Sequence, residues 1–60
     1  MIPHDPVILL SFINTQLRDN YSSLDALYEG LDIGDEQKED LINKLRAMGY
    51  EYDKGLNQFR

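Results

Sequence analysis

The sequence predicts a mainly α fold: a three-helix, helix-turn-helix-like bundle closed by a short C-terminal β-hairpin. Three observations lead there. Apolar residues recur at helical spacing in three separate stretches, each stretch opens on a capping residue, and the tail changes to an alternating pattern around a glycine. The chain of 60 residues has room for a single domain over 1–60, and a domain of this size buries only about 60% of its extended surface on folding.

Helix 1 is expected over about 6–20. Asp5 offers a carboxylate to the first free N–H groups, and Pro6 at the first helical position loses no intrahelical bond. Leu9, Leu10, Ile13, Leu17 and Tyr21 fall in one stripe, the expected core face. Ile8 and Phe12 project away from it, so the first half of the helix is apolar on two sides and needs a second cover.

Helix 2 is expected over about 23–31, capped by Ser22 or Ser23, with Leu24, Leu27, Tyr28 and Leu31 at i, i+3, i+4 and i+7. Asp32-Ile33-Gly34 ends it, and Ile33 is expected to tuck inward. Helix 3, over about 36–48, is capped by Gly34 or Asp35. Its first half carries Asp35, Glu36, Glu39 and Asp40 near the positive end of the helix dipole, and Lys44 and Arg46 occupy the last turns. Leu41, Ile42, Leu45 and Met48 form its apolar stripe, Asp40 is spaced to pair with Lys44, and Gly49 stops the helix. The tail over about 50–59 reads as two short strands about Asp53-Lys54-Gly55-Leu56, with Gly55 supplying a positive φ. A hairpin this short must lie on the helices, and Ile8 with Phe12 is a candidate landing site, the alternative being that another chain covers those two residues.

Composition excludes more than it identifies. The chain has no cysteine and one histidine, so neither a disulfide framework nor a thiolate or imidazole metal cluster can form. Eleven acidic against six basic residues give a net charge of −5 with no basic block, which opposes binding to phosphate backbones. The longest apolar run, Val7 to Ile13, is far short of the roughly 20 residues that span a bilayer, and no basic n-region precedes it. These features lead us to expect a cytoplasmic protein with no membrane partner.

No chemistry is expected from the side chains. His4 lies outside the helices, Ser22 and Ser23 have a capping role, Ser11 and Thr15 have no base in view, and no glycine-rich phosphate loop exists. Asp32, Asp35, Glu36, Glu39 and Asp40 do not match a calcium-loop spacing and read as a solvated helix start. So small a domain has little room for a drug-sized pocket of roughly 300 Å³ or more, so neither a cofactor nor a small-molecule substrate is implied and the protein is not expected to be an enzyme.

Interaction remains. Phe12, Tyr21, Tyr28, Tyr50, Tyr52 and Phe59 are a rich aromatic set, and tyrosine suits surfaces that are apolar but partly wet. Ile8 and Phe12 with one hairpin face, Tyr50, Tyr52 and Phe59, form the candidate interface for a homodimer or another protein. Asn14 and Arg18, at i and i+4, form a candidate polar recognition edge for a carboxylate or phosphate; the structural alternative is that Arg18 pairs with an acid of a neighbouring helix and Asn14 bonds nearby loop backbone. The competing function is nucleic-acid binding, since two helices, a short turn and a hairpin resemble a helix-turn-helix with a wing. Aligned from Leu24 to Leu41, however, the chain has Tyr28 and Asp32 where that motif has a small residue and a glycine.

The stretch Asp5-Pro6-Val7-Ile8-Leu9-Leu10-Ser11-Phe12-Ile13-Asn14-Thr15-Gln16-Leu17-Arg18-Asp19, followed by Tyr21-Ser22-Ser23-Leu24, Gly49-Tyr50-Glu51-Tyr52-Asp53 and Asn57-Gln58-Phe59, resembles a family of short bacterial proteins known only as a domain of unknown function. The resemblance covers nearly the whole chain. It implies a bacterial, stand-alone protein and carries no activity, cofactor or site residue with it. The reading it leaves is a small non-enzymatic interaction or regulatory module.

Overall fold

Each helix begins where a side chain or a glycine can release the backbone from the preceding loop. In the computed structural model, which describes residues 2–60, α1 runs Pro6–Asp19, α2 Leu24–Gly30 and α3 Asp35–Ala47, followed by β1 Tyr52–Asp53 and β2 Gln58–Phe59. Asp5 Oδ1 accepts from the N–H groups of Val7 at 2.9 Å and Ile8 at 3.3 Å. Ser23, not Ser22, caps α2, its Oγ accepting from Ala26 N–H at 3.1 Å. Gly34 precedes α3, and Gln37 reaches back to accept from its N–H at 3.1 Å. Asp35 therefore opens that helix as its first residue.

The helices end as deliberately. After α3, Gly49 takes φ 87°, and the N–H groups of Tyr50 and Gly49 bond Leu45 and Arg46 carbonyls at 3.0 and 2.9 Å, the Schellman pattern that satisfies a helix's last acceptors. The end of α2 repeats it with a side chain in the glycine's place. Asp32 adopts φ 54°, while Ile33 N–H bonds Tyr28 carbonyl at 2.9 Å and Asp32 N–H bonds Glu29 carbonyl at 3.2 Å. This geometry turns Ile33 inward, where it is buried, as its isolation among polar neighbours predicts.

The core gathers Leu9, Ile13 and Leu17 of α1, Leu27 of α2, Ile33 of the turn, Leu41 and Leu45 of α3, and Phe59 of β2. Helix α1 is the element that α2, α3 and β2 all pack against. Leu10, Tyr21, Leu24, Tyr28, Leu31, Ile42 and Met48 close the margins half-buried. At Gly30 the ring of Tyr21 lies so close that a Cβ would overlap it. The bare backbone of α2 thus serves as a surface on which the connection from α1 packs.

One expectation about the hairpin is corrected, and the choice left open for Ile8 and Phe12 is narrowed. The antiparallel pairing sets Tyr52 opposite Phe59 and Asp53 opposite Gln58, but the loop's left-handed residue is Asn57, at φ 52°, and not Gly55. The hairpin also does not cover Ile8 and Phe12. It packs on the shoulder of α1 that carries Asn14 and Leu17, leaving Ile8 57% exposed. The cause is rotational: the residues of α1 that are fully buried are Leu9, Ile13 and Leu17, a narrower line than the predicted stripe, so Phe12 flanks the core on the other shoulder and is half-buried against it.

Leu27 has no exposed surface, and Leu27→Ala is expected to cost about 2–5 kcal/mol, enough to unfold most of a domain this small. Thermal denaturation followed by circular dichroism checks this. A melt unchanged from wild type would contradict the placement of α2.

Candidate functional site

Asn14, one half of the candidate polar edge, has its carboxamide committed within the fold. Its Nδ2 donates to Phe59 carbonyl at 3.1 Å and its Oδ1 accepts from Phe59 N–H at 2.8 Å. Glu51 and Arg60 exchange both of their backbone bonds across the hairpin, at 3.2 and 3.0 Å, so by the alternation of an antiparallel ladder the polar groups of Phe59 point away from β1. Asn14 meets them there. Its partner is backbone, as the structural alternative has it, but from a strand 45 residues away instead of a nearby loop.

Arg18 is exposed and pairs with the adjacent Asp19 through Nε at 3.0 Å and Nη2 at 3.2 Å, not with another helix. The hydrogen bonds, with the opposite charge behind them, hold the Asp19 carboxyl below the usual carboxylate range and raise the Arg18 guanidinium further. Such a solvated pair adds little to stability.

Asn57 carries a role that composition did not reveal. Its Nδ2 donates to the carbonyls of Leu17 and Tyr21, both at 3.0 Å, and its Oδ1 accepts from Tyr52 Oη at 2.6 Å. Leu17 belongs to the last turn of α1, where carbonyls lack intrahelical partners. The hairpin loop therefore caps the C-terminus of the first helix from the far end of the chain. The usable signal was Asn itself, the residue other than glycine that most readily takes a left-handed conformation.

The candidate interface residues separate. Phe59 is core, 3% exposed, because its side of the hairpin faces α1; Tyr52 is half-buried beside it, ring centroids 5.6 Å apart. Tyr50 is 37% exposed just before β1. Ile8 is exposed and has Val7, 68% exposed, beside it on α1; Leu56 at the hairpin tip is 55% exposed.

Phe12 lies at the floor of an open groove of about 500 Å³ between the N-terminal segment, α1 and the α2–α3 turn. Ile2, Leu9, Leu31 and Leu41 share that floor, while Asp32, Glu36 and Asp40 stand along the rim. Pro3, His4, Gln37 and Lys44, the last 3.0 Å from Asp40, complete the lining. The space exceeds what a chain of this length was expected to leave, because the extended N-terminal residues stand beside the bundle as an added wall. On the other side of the turn, Lys38 Nζ lies 5.1 Å from the centre of the Tyr28 ring, and burial, with the nearby Asp25 carboxylate, raises the Tyr28 phenol pKa. Among the described residues no three His, Cys, Asp or Glu side chains converge as a metal site would require, and no helix is long and apolar enough to cross a membrane.

Architecture and surface together define a class: small helical domains whose C-terminal hairpin is bonded onto the first helix, presenting a groove and an exposed helix face. Residues 3–59 match the family model described as Domain of unknown function (DUF4250), and the chain belongs to that family. No curated protein and no solved structure matches it.

Two substitutions separate the tasks of Asn57. Asn57→Gly keeps the backbone conformation and removes the three side-chain bonds, and is expected to cost about 1–3 kcal/mol. Asn57→Ala removes the same bonds but keeps a Cβ at this left-handed position without the polar side chain that eases it, and is expected to cost about 1 kcal/mol more than Asn57→Gly. Urea denaturation of both variants checks this; equal stability of the two would show that the conformation at Asn57 carries no penalty.

Proposed function

We propose that this chain is a small non-enzymatic protein-interaction module whose binding surface is the groove floored by Phe12, Leu31 and Leu41. One observation carries the reading: the groove combines an apolar floor with a rim on which Asp32, Glu36 and Asp40 outnumber Lys44. Apolar floors supply affinity and rim charge selects the partner, so the fitting partner is a protein segment with an apolar side chain flanked by lysine or arginine. An amphipathic Leu/Lys peptide is the probe. Titrated into labelled protein, it is expected to shift the amide resonances of Phe12, Leu31, Leu41 and Lys44, and Glu36→Lys, an exposed change, is expected to weaken it several-fold. Equal response to a Leu/Glu peptide, or none to either, would overturn the reading.

A second reading, a helix-turn-helix-like nucleic-acid binder, is favoured by one feature. Asp32 takes the left-handed turn position that glycine holds in that motif, and a hairpin follows α3 as a wing would. The exposed face of α3 opposes it, since Glu36, Glu39 and Asp40 would meet phosphates. We expect no retention of the protein on random duplex DNA at low salt. Retention that weakens steeply as salt rises would put this reading first.

A further inference from the structure

In a chain where charged residues are 28% of the sequence, none lies between Pro6 and Leu17. For the core-facing side of α1 that is ordinary; for the side facing water it is not. Val7, Ser11, Thr15 and Arg18 follow one another along the exposed ridge of the helix at steps of four, four and three, and all four are exposed. Ile8 flanks this ridge on one side. On the other, an open depression lined by Val7, Leu10, Ser11, Thr15, Arg18 and Leu56 joins it to the hairpin tip. The result is a continuous surface made by two elements and uncharged up to Arg18 at its end, with the small Ser11 at its middle.

We infer that this face pairs two copies of the chain, α1 against α1 in antiparallel array about Ser11. This rests on the interaction-module reading but uses a surface other than the groove. Charge identifies the occupant. Asp25, Glu29, Asp32, Asp35, Glu36, Glu39 and Asp40 load α2, α3 and the turn between them, so two copies meeting there would repel; the ridge of α1 lets them approach without opposing charges. Its two ends carry opposite signs, the Asp5 carboxylate before the first turn and the Arg18 guanidinium in the last. An antiparallel two-fold centred on Ser11 sets residues whose numbers sum to 22 opposite each other, so Val7 faces Thr15 of the second copy, and Arg18 comes beside the second copy's His4 and Asp5. The pairing of Arg18 with Asp5 is thereby made twice, as a self-complementary interface requires. Arg18 is free to exchange partners because its present pair with Asp19 is solvated. One helix ridge and a loop tip make a small interface, so the dimer is expected to be weak, with a Kd of about micromolar or above.

Analytical ultracentrifugation of the full chain from low micromolar to millimolar concentration is expected to show reversible passage from one to two copies. Ile8→Glu, exposed and harmless to the core, is expected to raise the dissociation constant tenfold or more. Because the native chain has no cysteine, Ser11→Cys is expected to form disulfide-linked dimers under mild oxidation much faster than the control Lys54→Cys at the hairpin tip. A mass of one chain at every concentration overturns the inference, as does a dimer indifferent to Ile8→Glu whose Ser11→Cys variant links no faster than the control. Either result leaves the peptide titration at the groove to decide the interaction reading separately.

Discussion

The two carboxamides of Asn14 and Asn57 fasten the last ten residues to the first helix, and the closure of the fold depends on them. A ladder of two residues per strand does not hold together alone in water. It persists here because Asn14 satisfies both backbone groups of Phe59 while Asn57 takes two carbonyls at the end of α1. These bonds place the ring of Phe59 over the otherwise open shoulder of Leu9, Ile13 and Leu17. Polar contacts thus set the position and the apolar ring supplies the burial. Loss of either weakens the other, since a ring without its anchor is free to leave and an anchor without the ring leaves polar groups facing an uncovered core.

Electrostatics follow the same division of labour. Acidic groups gather at helix starts, at Asp5, at Asp25, and at Asp35 and Glu36, and basic groups at helix ends, at Arg18 and at Lys44 and Arg46. These charges sit where the helix dipole favours them, whereas Asp19, Glu29 and Lys38 stand at the opposite ends. The acidic excess falls on α2, α3 and the connection between them, which leaves the first helix electrically quiet along its middle. A single chain therefore has two surfaces of different character, a charged-rimmed groove on one shoulder of α1 and an uncharged ridge facing outward.

Most of the helical architecture was legible because it is written in local signals. Asp5-Pro6, Ser23, Gly34 and Gly49 act within a turn of themselves, and the spacing of Leu24, Leu27, Tyr28 and Leu31 needs no knowledge of the rest of the chain. The hairpin was legible as an element but not in its placement. That depends on Asn14 finding Phe59, an encounter across most of the sequence, and no periodicity encodes which shoulder of a helix a distant strand will choose. Gly55 drew the reading away from Asn57 because glycine accepts positive φ most readily, yet only Asn57 offers a side chain that the end of α1 can use. The groove was missed for a related reason: it arises from how Ile2 and Pro3 lie beside α1 and α3, and nothing local to those residues announces it.

The bonds from Asn14 to Phe59 also decide how this small sheet presents its open edge. An unpaired strand usually exposes N–H and C=O groups that another chain can extend, the common route to domain swapping and fibrils. In β2 the outward groups of Phe59 are already occupied by a side chain, and the following Arg60 returns its bonds to Glu51. Strand addition at that edge would first have to displace Asn14. Backbone pairing at the β2 edge thereby carries the cost of two hydrogen bonds before any new one can form.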